Sequence, residues 1–366
     1  MMAQTLAPST GADTHQDICD ERMMNLIIQR PDLWALYIKH DECSGNYQEY
    51  FRSYYNRKEP GQGYLQPVVS KYLVDSGMEF GYPEGRKFAV CLTHDIDYIY
   101  PPIWHSILSS ASSAGCMDMR GIDRHLLWPA KGKEHSPYRN FRQIMEIEKS
   151  FGGKSSFYFM VADSDHTRRK YDLSDIEPEL GMIVDSGFEV GLHGGYYTYN
   201  DCEKMIDEKK QVEKILGKEI IGYRNHYLHI QVPETWNCLS RAGFKYDTTL
   251  GYNDIIGCRN GMCHPFRPYN PRTGKLIDII EIPLMIMDVS LFFSMRSFAD
   301  AWVAAKGLID EIERCNGVVT LLWHNNVFGS AFKHDRAKIY TKILGYCHSK
   351  NAWITSGEEI YRWYKK

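Results

Sequence analysis

The chain has 366 residues, of which 43% are hydrophobic and 24% charged, and its formal net charge is −3. That length suits one large α/β domain with an appendage, and the composition is ordinary for a globular protein. The weak acidity, with no stripe of Lys and Arg, excludes a nucleic-acid binder, and no apolar run approaches the roughly 18 residues of a membrane span.

Residues 1–17 are small and polar, carry no charged segment followed by an apolar one, and are predicted to be disordered and not a secretion signal. Residues 18–86 read as helix and loop and end in the punctuation GYPEGRK, which marks off an N-terminal helical appendage. From Phe88 a rhythm sets in over residues 87–366. FAVCLT reads as a strand, FRQIMEIEKSF as a helix and KSSFYFMV as a strand. LSDIEPELGMIVDSG reads as a helix capped by Ser174 and precedes the strand FEVGLH. NDCEKMIDEKKQVEKILG is a long amphipathic helix stopped by Gly217, and EIIGYR follows. VPETWNCLSRAG leads into FKYDTT, DIIEIPLMI is a further strand, and two more helix–strand pairs end in VVTLLWH and AWIT. Strand–helix alternation repeated seven or eight times implies a parallel sheet closed, or nearly closed, into a barrel. An open doubly wound sheet is the alternative, but no GxGxxG follows the first strand.

Two long segments interrupt the rhythm, residues 100–140 and 250–275, and long loops often shape binding sites. The chain is rich in aromatics, with 25 Tyr and 8 Trp, which suits sugar ligands as well as cores. Its ten cysteines include no CxxC pair and sit in apolar patterns, so they read as reduced core residues in a cytoplasmic protein.

Polar residues collect at the strand C-termini, where βα barrels build their sites. The first strand ends in His94, Asp95 and Asp97, and FEVGL ends in His193. EIIGY ends in Arg224, Asn225, His226 and Tyr227, and VVTLLW ends in His324, Asn325 and Asn326. Unpaired charge at the end of a buried strand costs several kcal/mol, so the cluster calls for a metal, a counter-ion or an open site. Strand period two points Asp95 and Asp97 to one side, and carboxylates with imidazoles suit a divalent transition metal.

These motifs resemble those of the polysaccharide deacetylase (NodB-homology) family of carbohydrate esterases. Thr93-His94-Asp95-Ile96-Asp97 is similar to the family's T-x-D-x-D motif, and Leu322-Trp323-His324 to its L-x-H motif. His193 matches the first residue of H-[ST]-x-x-H, Arg224 and Tyr227 match R-x-P-Y, and GFKYDTT places Asp247 near the site. The fourth, D-x-x-D-W type, motif has no counterpart that the sequence identifies. The resemblance implies a distorted (β/α)7-type barrel and a hydrolase, dependent on a divalent metal with zinc foremost, that removes N-acetyl groups from sugars. It implies Asp95 as general base, His324 as general acid, Arg224 as partner of the base and the Tyr227 backbone N–H as oxyanion donor. Asp97 and His193 are implied as metal ligands.

The chain departs from the family where a second metal histidine would stand, since that position is Tyr197. His226, in place of the family's proline, is the foremost candidate for the third ligand, with water, His94 or a tyrosine as alternatives. Tyr196, Tyr197, Trp323 and Asn325 are candidate substrate contacts. The expected substrate is an amino sugar or glycan conjugate of surface-polysaccharide metabolism. The alternatives are removal of another small acyl group such as formyl, or a non-catalytic glycan binder on the same barrel. A zinc loop at Cys258, Cys263 and His264 is weak, because no partner pair exists, and Glu281 reads as structural. His125, His135 and His166 read as solvated loop residues.

Overall fold

The computed structural model describes residues 15–40, 42, 66–161, 171–295 and 297–366. The expectation of N-terminal disorder up to residue 14, much of the appendage between residues 43 and 65, and His166 lie outside these residues. Residues 15–17, expected to be disordered, instead open the helix His15–Ile28.

Nine parallel strands form the main sheet: β1 (Ala89–Ile96), β2 (Ser156–Met160), β3 (Glu189–Gly194), β4 (Gly222–Asn225), β5 (Tyr246–Asp247), β6 (Ile280–Glu281), β7 (Ile286–Met287), β8 (Val318–Leu322) and β9 (Trp353–Thr355). Their order is β6-β5-β4-β3-β2-β1-β8-β7, with β9 also paired to the first half of β1. The edge strands β6 and β7 belong to one segment, separated by residues 282–285. A few residues span less than about 20 Å, so the sheet must curl until its two edges meet across that segment. Ile282 N bonds to Asp247 O at 2.8 Å and Met285 N to Thr320 O at 3.1 Å, which stitches the gap. The result is a barrel of the (β/α)7 type with NodB-like topology.

The sheet is buried on both faces, which is why β1, β2 and β8 read as continuous apolar runs instead of alternating ones. Register sets the height of the polar residues. His193 lies level with Arg224, Gly194 with Asn225, and Thr93 with Leu322. Counting two residues on from Thr93 and from Leu322 brings Asp95 and His324 to the same rim.

Helices cover the outside. Gly217 ends Cys202–Leu216 in the left-handed conformation (φ 65°), as its freedom from a Cβ allows. Helices from the N-terminal segment, including Val68–Asp75, share one apolar core with the barrel through Met24, Ile27, Tyr37, Val69 and Leu73.

Several expectations are corrected. Ser174 caps nothing: it sits inside a short 3-10 turn, Leu173–Ile176, and the helix proper is Glu177–Asp185. DIIEIPLMI is not one strand but the two short edges β6 and β7, broken by Pro283, which lacks an N–H for a ladder. Cys202 and Cys238 are joined in a disulfide that ties Cys202–Leu216 to Glu234–Arg241. The reduced-cysteine reading therefore fails at this pair, while Cys91, Cys258, Cys263, Cys315 and Cys347 are free and buried as expected. Among the described residues, no helix is long and apolar enough to cross a membrane.

Candidate active site

The strand ends converge on a cavity of about 500 Å3 whose floor is Asp95, Asp97, His193, His226 and His324. Its walls are apolar, from Tyr98, Leu228, Met287, Val289 and Phe293.

Asp95 and Asp97 project to the same side of β1, and His94 to the other. Arg224 is fully buried and holds Asp95, with Nη1 3.1 Å from Asp95 Oδ1 and 2.6 Å from Thr93 Oγ1. Its Nε donates to Thr248 O at 3.1 Å, so the guanidinium cannot swing away. His193 Nδ1 donates to the Arg224 carbonyl at 3.1 Å, which fixes the tautomer and leaves the Nε2 lone pair facing the cavity. That Nε2 lies 3.3 Å from Asp97 Oδ1 and 3.7 Å from Asp95 Oδ2, and His226 Nε2 lies 3.8 Å from Asp97 Oδ1. His193 Nε2 and Asp97 Oδ1 are buried without a hydrogen-bond partner.

Electrostatics follow from this crowding. Burial alone would raise the Asp97 pKa, but the close imidazoles of His193, His226 and His324 pull it far below the usual carboxylate range. Burial opposes the charged form of His193 as well, yet Asp95 and Asp97 outweigh it and the pKa rises.

His324 is oriented from behind. Its Nδ1 pairs with Asp288 Oδ1 at 2.7 Å, and Nε2 faces Asp97 Oδ2 at 3.7 Å. Burial would lower its pKa, but Asp288, and then Asp97 and Asp95, push it up to about 9. Sequence reasoning missed Asp288. The available signal was the one used elsewhere, an acid directly after an apolar strand, IPLMIMD, but the strand is only two residues long.

The turn after β4 is strained. Tyr227 (φ 59°) and Leu228 (φ 53°) are consecutive non-glycine residues in the left-handed region, which costs on the order of 1 kcal/mol or more each. Asn225 Nδ2 donates to His226 O at 3.1 Å and Asn253 Nδ2 to Tyr227 O at 2.7 Å, and these bonds hold the turn. Asn225 is itself held by the Tyr223 hydroxyl at 2.5 Å, which lies where a Cβ on Gly194 would sit. Strain sustained in this way is characteristic of functional sites.

The other sequence candidates divide. Tyr196 and Tyr197 stand beside the mouth, Tyr196 edge-on to Tyr227 at 5.6 Å and Tyr197 half-exposed. Trp323 and Asn325 do not reach the cavity. Trp323 is fully buried on the helix side of β8, where Nε1 donates to Arg336 O at 3.0 Å. Asn325 Nδ2 spans Tyr98 O and Tyr138 O at 2.7 and 2.8 Å and acts as a loop clamp. His94 is not a ligand either, because both its ring nitrogens are engaged behind β1, with Trp323 O and Glu148 Oε1 at 2.7 Å each. Glu281 accepts from Trp236 Nε1 and Leu250 N, in keeping with a structural role. His264 is taken up by Ser70 and the Cys315 carbonyl, and His125 is buried instead of solvated.

Among the described residues, one cluster of metal-ligating side chains exists, Asp97, His193 and His226, with ligand atoms all within 4.8 Å of one another. It fits a metal: the two orphaned buried atoms, Asp97 Oδ1 and His193 Nε2, are a lone-pair carboxylate oxygen and a lone-pair imidazole nitrogen aimed at the same point.

Solved structures share this fold, a curled parallel sheet of NodB-like topology. A Mycobacterium smegmatis protein assigned as a polysaccharide deacetylase aligns over 77% of this chain and 92% of its own, at 17% identity and TM-score 0.51. The Puue allantoinase aligns over 83% of this chain and 93% of its own, at 16% identity and the same TM-score. At such identities the likeness establishes the fold. No protein-family model and no curated protein matches the sequence.

Proposed function

We propose that the chain is a metal-dependent hydrolase that removes a small N-acyl group, acetyl foremost, from an amino sugar. The observation that carries this reading is the convergence in one cavity of two orphaned ligand atoms, an arginine-held carboxylate and an aspartate-backed imidazole. Asp97, His193 and His226 would hold the metal, with zinc suited to such a donor set; when bound it supplies Lewis acidity and an acidified water.

The chain's own residues account for the proton traffic. Asp95, oriented by Arg224, accepts the proton of the attacking water as the new C–O bond forms. His324, kept protonated at neutral pH by Asp288, delivers its proton to the amide nitrogen as the C–N bond breaks, which turns a poor leaving group into an amine. The Tyr227 N–H, presented by the strained turn, serves the oxygen on which negative charge develops. The products are a carboxylate and a free amine. The apolar wall of Leu228, Met287 and Leu322 suits a short acyl chain, and Asp254 Oδ1, a buried acceptor without a partner, faces the same cavity and suits a sugar hydroxyl.

The test combines elemental analysis with acetate and formate release from a panel of N-acylated amino sugars, with allantoin as comparator. About one equivalent of divalent metal and acyl release from a sugar are expected, and His226→Ala is expected to lose the metal. A metal-loaded protein that binds sugar and releases neither acid overturns the reading in favour of a binding protein.

A further inference from the structure

We propose that Asp254 makes the cavity selective for a positively charged sugar: an N-acylated amino sugar that also carries a free ammonium group. The proposal deepens the hydrolase reading and rests on it for the acyl group alone. Three carboxylates line the cavity, Asp95, Asp97 and Asp254. The chain supplies the first two with partners that are or can become positive. Asp95 has Arg224 at 3.1 Å, and Asp97 has the imidazoles of His193, His324 and His226 at 3.3, 3.7 and 3.8 Å. Asp288, behind His324, has that imidazole at 2.7 Å. Among the described residues Asp254 has no such partner. Its Oδ1 is buried without a hydrogen bond, and no lysine or arginine lines the cavity. The basic residues that could have served are committed elsewhere. Arg259, the next one along the chain, holds Glu42 at 2.9 Å and Gly251 O at 3.1 Å. Lys333, near Asp288, donates to Asn326 Oδ1 at 2.7 Å.

The placement of Asp254 is built in. It belongs to residues 250–275, one of the two long segments that interrupt the strand–helix rhythm. Leu284 N bonds to Leu250 O at 3.0 Å and Gly257 N to Met285 O at 2.9 Å, which pins the segment on both sides of Asp254 to the link between β6 and β7. A Cβ on Gly251 would lie 2.8 Å from that of Leu284, so this approach leaves no room for a larger residue. The neighbouring Asn253 Nδ2 donates to Tyr227 O at 2.7 Å, so Asp254 is fixed against the same strained turn that carries His226. A carboxylate held this firmly is presented to the cavity and is not free to turn to bulk water.

The chemistry of the missing partner follows. A buried carboxylate oxygen needs a donor, and the largely apolar walls make an uncompensated charge more costly. A sugar hydroxyl fills the lone pair and leaves the charge. An ammonium answers both, with three N–H donors and a charge-assisted bond about twice as strong as a neutral one. A phosphorylated, nucleotide-linked or uronic sugar meets the reverse situation: no lysine or arginine in the cavity receives its anionic group, and Asp254 repels it. Asp254 and the metal-ligand cluster open into one cavity, so the ammonium belongs to the reacting sugar or to the sugar bonded to it. The substrate class is therefore a diamino sugar acylated on one nitrogen, or an oligosaccharide with an unacylated amine beside the unit to be cleaved.

Two matched pairs of probes test this. The first sets N-acetylglucosamine against 2-acetamido-4-amino-2,4-dideoxyglucose, in which an ammonium replaces one hydroxyl. The second sets N,N′-diacetylchitobiose against its mono-N-acetyl form, which has one free amine. Ligand-observed NMR titrations of the full chain, run below the pKa of the sugar amines, read affinity and acetate release in the same sample. The amine-bearing member of at least one pair is expected to bind about tenfold tighter or more. The pair that responds tells which sugar carries the ammonium. Asp254→Asn is expected to erase the preference while metal content stays at the wild-type level, and Asp254→Ser repeats the measurement should the first variant fold poorly. Equal binding within both pairs overturns the proposal, as does tighter binding of the neutral members or binding of none of the four. A preference that survives both substitutions overturns it too. Acetate release without a preference removes the ammonium site and leaves the hydrolase reading standing, and a preference without acetate release does the reverse.

Discussion

Two acid–imidazole clusters share β1, one on each face. On the helix side, His94 pairs with Glu148 at 2.7 Å, and Glu148 also accepts from the Tyr340 hydroxyl at 2.5 Å and from Ser155 Oγ at 2.7 Å. On the barrel side, Asp95 and Asp97 face His193, His226 and His324 across longer gaps, with two buried atoms left unpartnered. The residue types are the same and both clusters are buried. One is saturated and closed, and the other is unsatisfied and opens into a cavity. Buried polar groups are normally paired, and an unpaired one costs about 1–3 kcal/mol. In the proposed function the unsatisfied face is the one that does chemistry, and the saturated face is the one that contributes stability.

That contrast can be broken by exchanging the insults. Asp95→Asn is expected to lower turnover by about 10²- to 10⁴-fold, as for loss of a general base, with metal content and thermal midpoint nearly unchanged. Glu148→Ala, on the opposite face, is expected to cost roughly 3 kcal/mol or more of stability, because His94, Tyr340 and Ser155 lose their shared acceptor. Its folded fraction should turn over at the wild-type rate. A Glu148→Ala protein that is stable but inactive would erase the distinction between the faces.

Asp288→Asn probes the site more finely. Asp288 touches His324 and lies outside the set of residues that line the cavity, so it positions the acid. Turnover is expected to fall about 10- to 100-fold. His324 must carry a proton to act, and the carboxylates raise its pKa to about 9 against the lowering effect of burial. Without the Asp288 charge that pKa falls, so the alkaline limb of the kcat profile should move to lower pH. A lower rate with an unmoved limb would reduce Asp288 to a packing residue.

The legible part of the molecule was the part with long strands. β1, β3, β4 and β8 each announce a polar rim after an apolar body, so Asp95, Asp97, His193, Arg224, His226 and His324 were all singled out and are all found around one centre. His94, Trp323 and Asn325 were harder, because a residue beside a site residue in a strand or strand end can face the other way. Asp288 follows a strand of two residues, too short for any periodic signal. The Cys202–Cys238 bond joins positions 36 apart through the packing of two helices, which no local pattern encodes. Residues 100–140, which read from the sequence as a long interrupting loop, hold the helices Ile103–Gly115 and Met119–Leu126, whose apolar residues face outward against the usual inside–outside rule.

The smallest effect concerns the far end of the barrel, where Glu189 opens the strand that ends in His193 and Gly194. Its carboxylate accepts from Ser156 Oγ at 2.5 Å, Tyr246 Oη at 2.6 Å and Glu358 N at 2.8 Å. Burial, aided by the Glu358 charge, pushes its pKa up to about 7 against those bonds. The folded state thus holds a proton between the unfolded pKa, about 4.3, and about 7, where the unfolded chain has released it. Stability must fall as pH rises through that window and level off above it, by on the order of 1 kcal/mol per pH unit. Glu189→Gln mimics the protonated form, so its urea midpoint should decline less than that of the wild type between pH 5 and 7. Because Glu189 lies at the opposite end of β3 from the candidate metal ligands, the kcat profile of this variant should keep its shape. An identical midpoint slope in the two proteins would show that the carboxylate is ionised in the fold despite its burial.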